Sequence, residues 1–272
     1  MSIFFIAVIL GIVLGLTEYL PISSAGHLIV VGSLLDFTGP KATCFQVFLQ
    51  IGAISAVVVL FRDRFLHLLP FGKHSRDQGF SGWRGISFLA LTTLPAVIVG
   101  ALCHHFIKTY LFGPLTVAGA LAVGGLAILF AEKYKPEPRV SDINELTYTQ
   151  AGVIGLVQCL ALWPGVSRSA STIIAGLFCG FSRKVAAEYS FLAAVPILIA
   201  AATYDLYKNW HLFQASDLPL FMVGLLVSFV SALLAIKTFI AFLQRWTLVP
   251  FAYYRLAIAP IIYFAVINFN RH

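Results

Sequence analysis

The stretch Glu18-Tyr19-Leu20-Pro21-Ile22-Ser23-Ser24-Ala25-Gly26-His27 follows an apolar run over 2–17 and precedes a short apolar piece over 28–35. A second stretch of the same character, Trp163-Pro164-Gly165-Val166-Ser167-Arg168-Ser169-Ala170-Ser171-Thr172, lies between apolar runs over 146–162 and 173–181. A bilayer-spanning helix needs roughly 20 mostly apolar residues, and neither flank of either stretch reaches that length. Irregular backbone at membrane depth is tolerated only where protein buries it or where it lines a wet cavity. Each region therefore reads as a re-entrant hairpin, two half-length helices around a polar break.

The rest of the chain is built from longer uncharged stretches, at 42–61, 85–103, 109–131, 189–204 and 218–236, with a sixth over 247–270 broken only by Arg255. These predict six full spans. Composition agrees, with 60% hydrophobic and 11% charged residues against about 25% charged in a soluble domain. A soluble protein with a large core does not account for so many stretches of membrane length. The apolar N-terminal run lacks a basic start and a small-residue cleavage site, so it reads as retained structure.

The net charge of +7 is a matter of orientation rather than of nucleic acid, for which nothing else in the sequence speaks. With the loop over 65–83 in the cytoplasm, Lys41, Lys108, Lys208 and Arg271 fall outside, and Arg168 and Arg255 fall within apolar segments. The other twelve of the 18 Lys and Arg residues are then cytoplasmic, including Lys73, Arg76, Arg183 and Lys184. Such a bias sets orientation, and both termini face outward. The cysteines, Cys44, Cys103, Cys159 and Cys179, lie in apolar segments without metal or redox spacing and read as small buried hydrophobes.

The two breaks are related. Gly15-Leu16-Thr17-Glu18-Tyr19-Leu20 aligns with Gly155-Leu156-Val157-Gln158-Cys159-Leu160. After a three-residue insertion, Pro21 aligns with Pro164, Ser24 with Ser167, and Phe48-Leu49 with Phe191-Leu192. Because the charge bias places the first hairpin on the outer side and the second on the inner side, the halves read as an inverted repeat with its site near the midplane. The expected fold is an all-α membrane protein, one integral domain over 1–272, with repeat halves 1–131 and 146–267.

Charged groups at membrane depth cost at least about 2.5–3.5 kcal/mol each, so they are rare and usually functional or paired. Of the 11 acidic residues, only Glu18 lies in a break. It is joined there by His27 and Arg168. An ion pair between Glu18 and Arg168, holding the hairpins together, is one reading of that pair. His27 reads either as a satisfied core histidine or as a catalytic group, and Arg255 either as functional or as a snorkelling residue. In the second break Arg168 offers a planar fork of donors, Ser167, Ser169 and Thr172 offer hydroxyls, and a helix starting near Ser169 would turn free N–H groups to the same point. Such a set suits phosphate.

Both motifs resemble those of the undecaprenyl-diphosphate phosphatases of the bacitracin-resistance type, and the similarity extends through residues 160–163 and 251–255 to essentially the whole chain. The resemblance implies hydrolysis of the C55 isoprenoid diphosphate to its monophosphate, recycling the carrier for cell-wall polymers at the outer leaflet of the bacterial inner membrane. It also implies a divalent cation, Mg²⁺ or Ca²⁺, with Glu18 as its ligand. In this reading Ser23, Ser167, Arg168, Ser169 and Thr172 bind the diphosphate, while Ser24 attacks it, or water does, with His27 as base or acid. The family's first motif carries an acid or Gln four residues before the glutamate, and here that position is Leu14. The expected partners are the isoprenoid diphosphate and membrane lipids, and a homodimer is compatible with the sequence. Inverted repeats also serve transporters, so a lipid-phosphate flippase or small-anion carrier is the rival reading. An intramembrane serine protease fits less well, because Arg168 favours an anion.

Overall fold

The computed structural model describes residues 3–69, 79–111, 113–209, 211 and 214–269, with backbone alone at 108, 114, 215 and 265–269. Eleven α-helices are found among the described residues: α1 (Ile3–Thr17), α2 (Ser24–Leu34), α3 (Pro40–Leu60), α4 (Arg62–His67), α5 (Gly82–Phe106), α6 (Pro114–Tyr134), α7 (Tyr148–Gln158), α8 (Arg168–Phe178), α9 (Arg183–Asn209), α10 (Leu218–Leu243) and α11 (Val249–Phe269). Five of them, α3, α5, α6, α9 and α10, are long and apolar enough to cross a membrane. The sixth expected span is α11; only its part to Phe264 is described with side chains, and that part is shorter than a full crossing. Lys73, Arg76 and Arg271, used above for orientation, lie outside the described residues.

α1 and α7 are short; a turn follows α1 directly and follows α7 after a 3-10 segment, Cys159–Leu162, and each turn leads into an 11-residue helix, α2 or α8. Each short helix leans on a long helix distant in the chain: α1 packs on α10, and α7 on α5. Exchanging α1 with α7, α2 with α8, α3 with α9, α5 with α10 and α6 with α11 maps these contacts onto one another, and likewise α2–α11 onto α8–α6 and α3–α10 onto α9–α5. The aligned glycines have a physical cause. A Cβ on Gly15 would strike Ser228, Ser231 and Ala232 of α10, and one on Gly155 would strike Leu91 and Thr92 of α5. Small residues let backbones approach this closely.

The turns share a mark as well. Ser23 and Ser167, the residues before α2 and α8, have φ of 70° and 76°, a left-handed conformation uncommon in non-glycine residues. This relates Ser23 to Ser167, one position away from the alignment expected from sequence, which matched Ser24 to Ser167. Polar ties join distant parts of the chain. Lys41 meets Asp217 at 2.7 Å; elsewhere Glu132 of α6 takes Arg183 of α9 through Nε at 2.9 Å and the Leu248 backbone N–H at 2.8 Å.

Arg255 of α11 is the largest fully buried side chain, with 0% exposure. It does not snorkel. Its Nη1 donates to the Pro21 carbonyl (3.1 Å) in the first turn, and its Nη2 to the Gly165 carbonyl (2.9 Å) in the second. Nη2 and Nε also reach the carbonyls of Ala120 (3.2 Å) and Leu121 (3.1 Å) on α6. One guanidinium thus satisfies a carbonyl of each break at once. Gly124 leaves it room, because a Cβ there would fall on Nη2.

Replacing Arg255 with Leu leaves the Pro21 and Gly165 carbonyls without their donor, at roughly 1–3 kcal/mol for each that finds no water, and takes a second donor from the helical carbonyls of Ala120 and Leu121. Arg255→Leu is expected to lower the thermal unfolding temperature in detergent markedly, and Gly124→Ala to lower it in the same direction. A melting curve for Arg255→Leu that overlays the parent would refute this account of how the two turns are held.

Candidate active site

The two turns face each other across a cavity of about 130 Å³ lined by residues of both, chiefly Glu18, Ser23, Ser24, Ser167 and Arg168, with Gln50 of α3 on one wall and Trp163 at the side. Glu18 closes the last turn of α1, its N–H bonded to the Leu14 carbonyl at 2.9 Å. The neighbouring Tyr19 is buried and donates its hydroxyl to the Ala53 carbonyl of α3 at 2.9 Å. That anchor, with the ring edge-on to Phe191, fixes where the Glu18 carboxylate points.

Within the cavity Ser24 donates its hydroxyl to Glu18 Oε2 at 2.7 Å. Arg168 places Nη2 at 3.7 Å from Glu18 Oε1 and donates Nη1 to the Ser190 carbonyl at 3.1 Å. Its Nε–H is buried with no hydrogen-bond partner. Buried polar groups are nearly always paired, so the guanidinium is one acceptor short. A planar fork left with a free donor beside a hydroxyl and a helix start is the arrangement that takes an anion oxygen.

The other sequence candidates lie elsewhere. Ser169 is fully buried and donates to the Leu20 carbonyl at 2.9 Å, fastening the second turn to the first. Thr172 is bonded to the Arg168 carbonyl (3.0 Å) and to the Ser190 hydroxyl (2.7 Å), so it braces the backbone of Arg168. Neither lines the cavity. His27 is not on the cavity wall either. Its Nδ1 faces the Ser23 carbonyl at 2.8 Å and must donate to it, which leaves Nε2 to accept from the Tyr254 hydroxyl at 2.7 Å. Ser24 therefore has Glu18, and not His27, as its hydrogen-bond acceptor.

Gln50, Tyr254 and Ser190 were not singled out from the sequence. Gln50 is an uncharged residue in an apolar span, and only the hydrophobicity around it sets it apart; Tyr254 and Ser190 carry no local signal. Leu14 has 0% exposure within the main apolar cluster and does not line the cavity. Among the described residues no three His, Cys, Asp or Glu side chains converge. The side-chain oxygen donors among the residues lining the cavity are the Glu18 carboxylate, the hydroxyls of Ser23, Ser24 and Ser167, and the Gln50 amide. One carboxylate with neutral oxygens fits Mg²⁺ or Ca²⁺, hard cations that complete their shells with substrate oxygens and water.

The class that the fold and the site define is an all-helical, multi-pass membrane protein with a small polar centre between two helix starts. Residues 7–261 match the family described as bacitracin resistance protein BacA, and the chain belongs to that family. It is 55% identical over 264 residues to a protein named undecaprenyl-diphosphatase from Nitratidesulfovibrio vulgaris strain Hildenborough, covering 97% of this chain and 98% of that protein. A protein of the same name from Desulfovibrio desulfuricans is 54% identical over 262 residues, covering 96% and 98%. One from Lawsonia intracellularis is 48% identical over 268 residues, covering 98% and 99%.

Lysine at position 168 keeps the charge but loses the planar fork. It cannot reach both Ser190 and an anion from separate nitrogens. Arg168→Lys is expected to lower turnover at least about tenfold, while the protein still folds and purifies. Phosphate release near that of the parent would remove Arg168 from the site.

Proposed function

We propose that this chain hydrolyses undecaprenyl diphosphate to undecaprenyl phosphate and inorganic phosphate, returning the lipid carrier to cell-wall synthesis. The observation that carries the chemistry is the Ser24 hydroxyl donated to Glu18 beside Arg168. In this reading Arg168, with the hydroxyls of Ser23 and Ser167, binds the terminal phosphate. Glu18 takes the Ser24 proton as Ser24 Oγ bonds to the terminal phosphorus. The bond from that phosphorus to the bridging oxygen breaks, undecaprenyl phosphate departs with both electrons, and Glu18 gives up its proton to the departing phosphate. Water then attacks the phosphoserine phosphorus and gives a proton to Glu18; the bond from phosphorus to Ser24 Oγ breaks, inorganic phosphate leaves, and Glu18 returns the proton to Ser24 Oγ. His27 serves as a positioning residue, holding the Ser23 carbonyl and so the start of α2. Glu18, Ser24 and Gln50 would hold the divalent cation, whose part when bound is to neutralise charge developing on the phosphates.

The same reading extends to topology. The α1–α2 and α7–α8 pairs are re-entrant hairpins of an inverted repeat, α11 is the sixth span, and the protein sits in the bacterial inner membrane with its site open to the outer leaflet. The exchange of helix pairings between halves supports the repeat, and the charge bias supports the orientation.

Two measurements check these points. Purified protein in detergent is expected to release phosphate from undecaprenyl diphosphate, to lose activity with a chelator and to regain it with Mg²⁺ or Ca²⁺; Ser24→Ala should be slowed by at least about a hundredfold. Hydrolysis needs no second compartment, so absence of release would favour a flippase or anion carrier. For orientation, Asp63, whose side chain is 79% exposed, should as cysteine resist an impermeant thiol reagent in intact cells, whereas cysteine at Gln214 should react. The reverse pattern would overturn the topology.

A further inference from the structure

We propose that the isoprenoid tail of the substrate lies in the apolar groove between α3 and α9, and that this groove sets the preference for long tails; the proposal rests on the phosphatase reading above. The groove measures about 560 Å³ and is lined by Ile51, Ile54, Ser55 and Val59 of α3 and by Ile199 and Ala202 of α9, among others. The tail is covalently tied to a head group held in the polar cavity, so it must leave that cavity along an adjoining apolar wall. α3 supplies such a wall. Gln50 lines the cavity and Ile54 the groove, and residues four apart share a helix face. One face of α3 thus runs from polar head site to apolar groove.

The groove's own chemistry suits a branched hydrocarbon. Ser55 turns its hydroxyl back onto the Ile51 carbonyl at 2.8 Å, so it makes no polar demand on an occupant. Ser55 and Ala202 are small, while Val59 and Ile199 stand exposed at 51% and 49%. Small residues between bulky ones leave room for methyl branches. Surrounding lipid is as apolar as the groove, so the gain comes from close contact and from holding the head near Ser24, not from leaving water.

A second groove, of about 600 Å³, lies between α1, α10 and α11. It takes the opposite faces of the first turn, Thr17, Leu20 and Ile22, rather than Glu18, Ser23 and Ser24. The polar group at its rim, the Tyr254 hydroxyl, is already engaged by His27. It therefore meets the break from the side turned away from Glu18, Ser23 and Ser24.

The test compares kcat/KM for the C55 diphosphate with that for the C15 farnesyl diphosphate. Val59→Trp and Ile199→Trp obstruct the proposed groove from exposed positions on either helix, and Thr238→Trp obstructs the other. The C55-to-C15 ratio is expected to fall at least about threefold in one or both of the first two and to stay unchanged in the third. A ratio unchanged in both groove variants, whatever becomes of the overall rate, overturns the proposal, as does a fall confined to Thr238→Trp. Failure of the parent chain to release phosphate from either diphosphate would instead defeat the phosphatase reading itself.

Discussion

Two turns of irregular backbone sit among apolar helices, where no bulk water is at hand to satisfy their carbonyl groups. Everything at the site depends on how that constraint is met. A single buried cation meets much of it: Arg255 spans from Pro21 in one turn to Gly165 in the other and fills its remaining donors on α6. The cost of burying a guanidinium is offset by carbonyl acceptors at each nitrogen. Because the same group touches both turns, it also fixes their separation, and with it the size of the cavity between Glu18 and Arg168.

The hydroxyl groups divide into two kinds of work. Ser169 and Thr172 face protein and hold backbone, while Ser23, Ser24 and Ser167 border the cavity. The turns are unequal in the same sense. Ser167 accepts from the Ala170 N–H at 3.3 Å and so caps α8, whereas Ser23 makes no such side-chain bond at the start of α2. The second turn is a braced mount for Arg168, and the first presents the groups that would react. The cavity, of about 130 Å³, has room for several waters, since one water needs at least about 10–15 Å³ of such space.

The apolar stretches and the two broken motifs were legible in the sequence because bilayer length and the scarcity of charge leave few alternatives. Glu18 and Arg168 stood out for the same reason, as charges where charge is expensive, and the structure does bring them together. Side-chain direction was not legible. His27 sits in the same short motif as Ser24, yet its ring is turned to Ser23 and to Tyr254, a residue 227 positions away. No local pattern reports a partner at that distance. Gln50 was hidden because one amide in an apolar span looks like tolerated polarity until the fold places it on a cavity wall. Arg255 was visible as a charge, but its choice of four carbonyls depends on three separate parts of the chain meeting.

The place of Arg255 along the chain bears on biosynthesis. Its four acceptors, at Pro21, Ala120, Leu121 and Gly165, all precede it, and it belongs to α11. During synthesis the earlier helices enter the membrane before the clasp exists, so the two turns have no common tether until α11 arrives. The arginine, for its part, enters a bilayer in which its acceptors already wait, and never has to be stable there alone. Assembly of the polar centre is thus deferred until α11 is in place, and a nascent chain without it carries Glu18 and Arg168 but not the clasp between their turns.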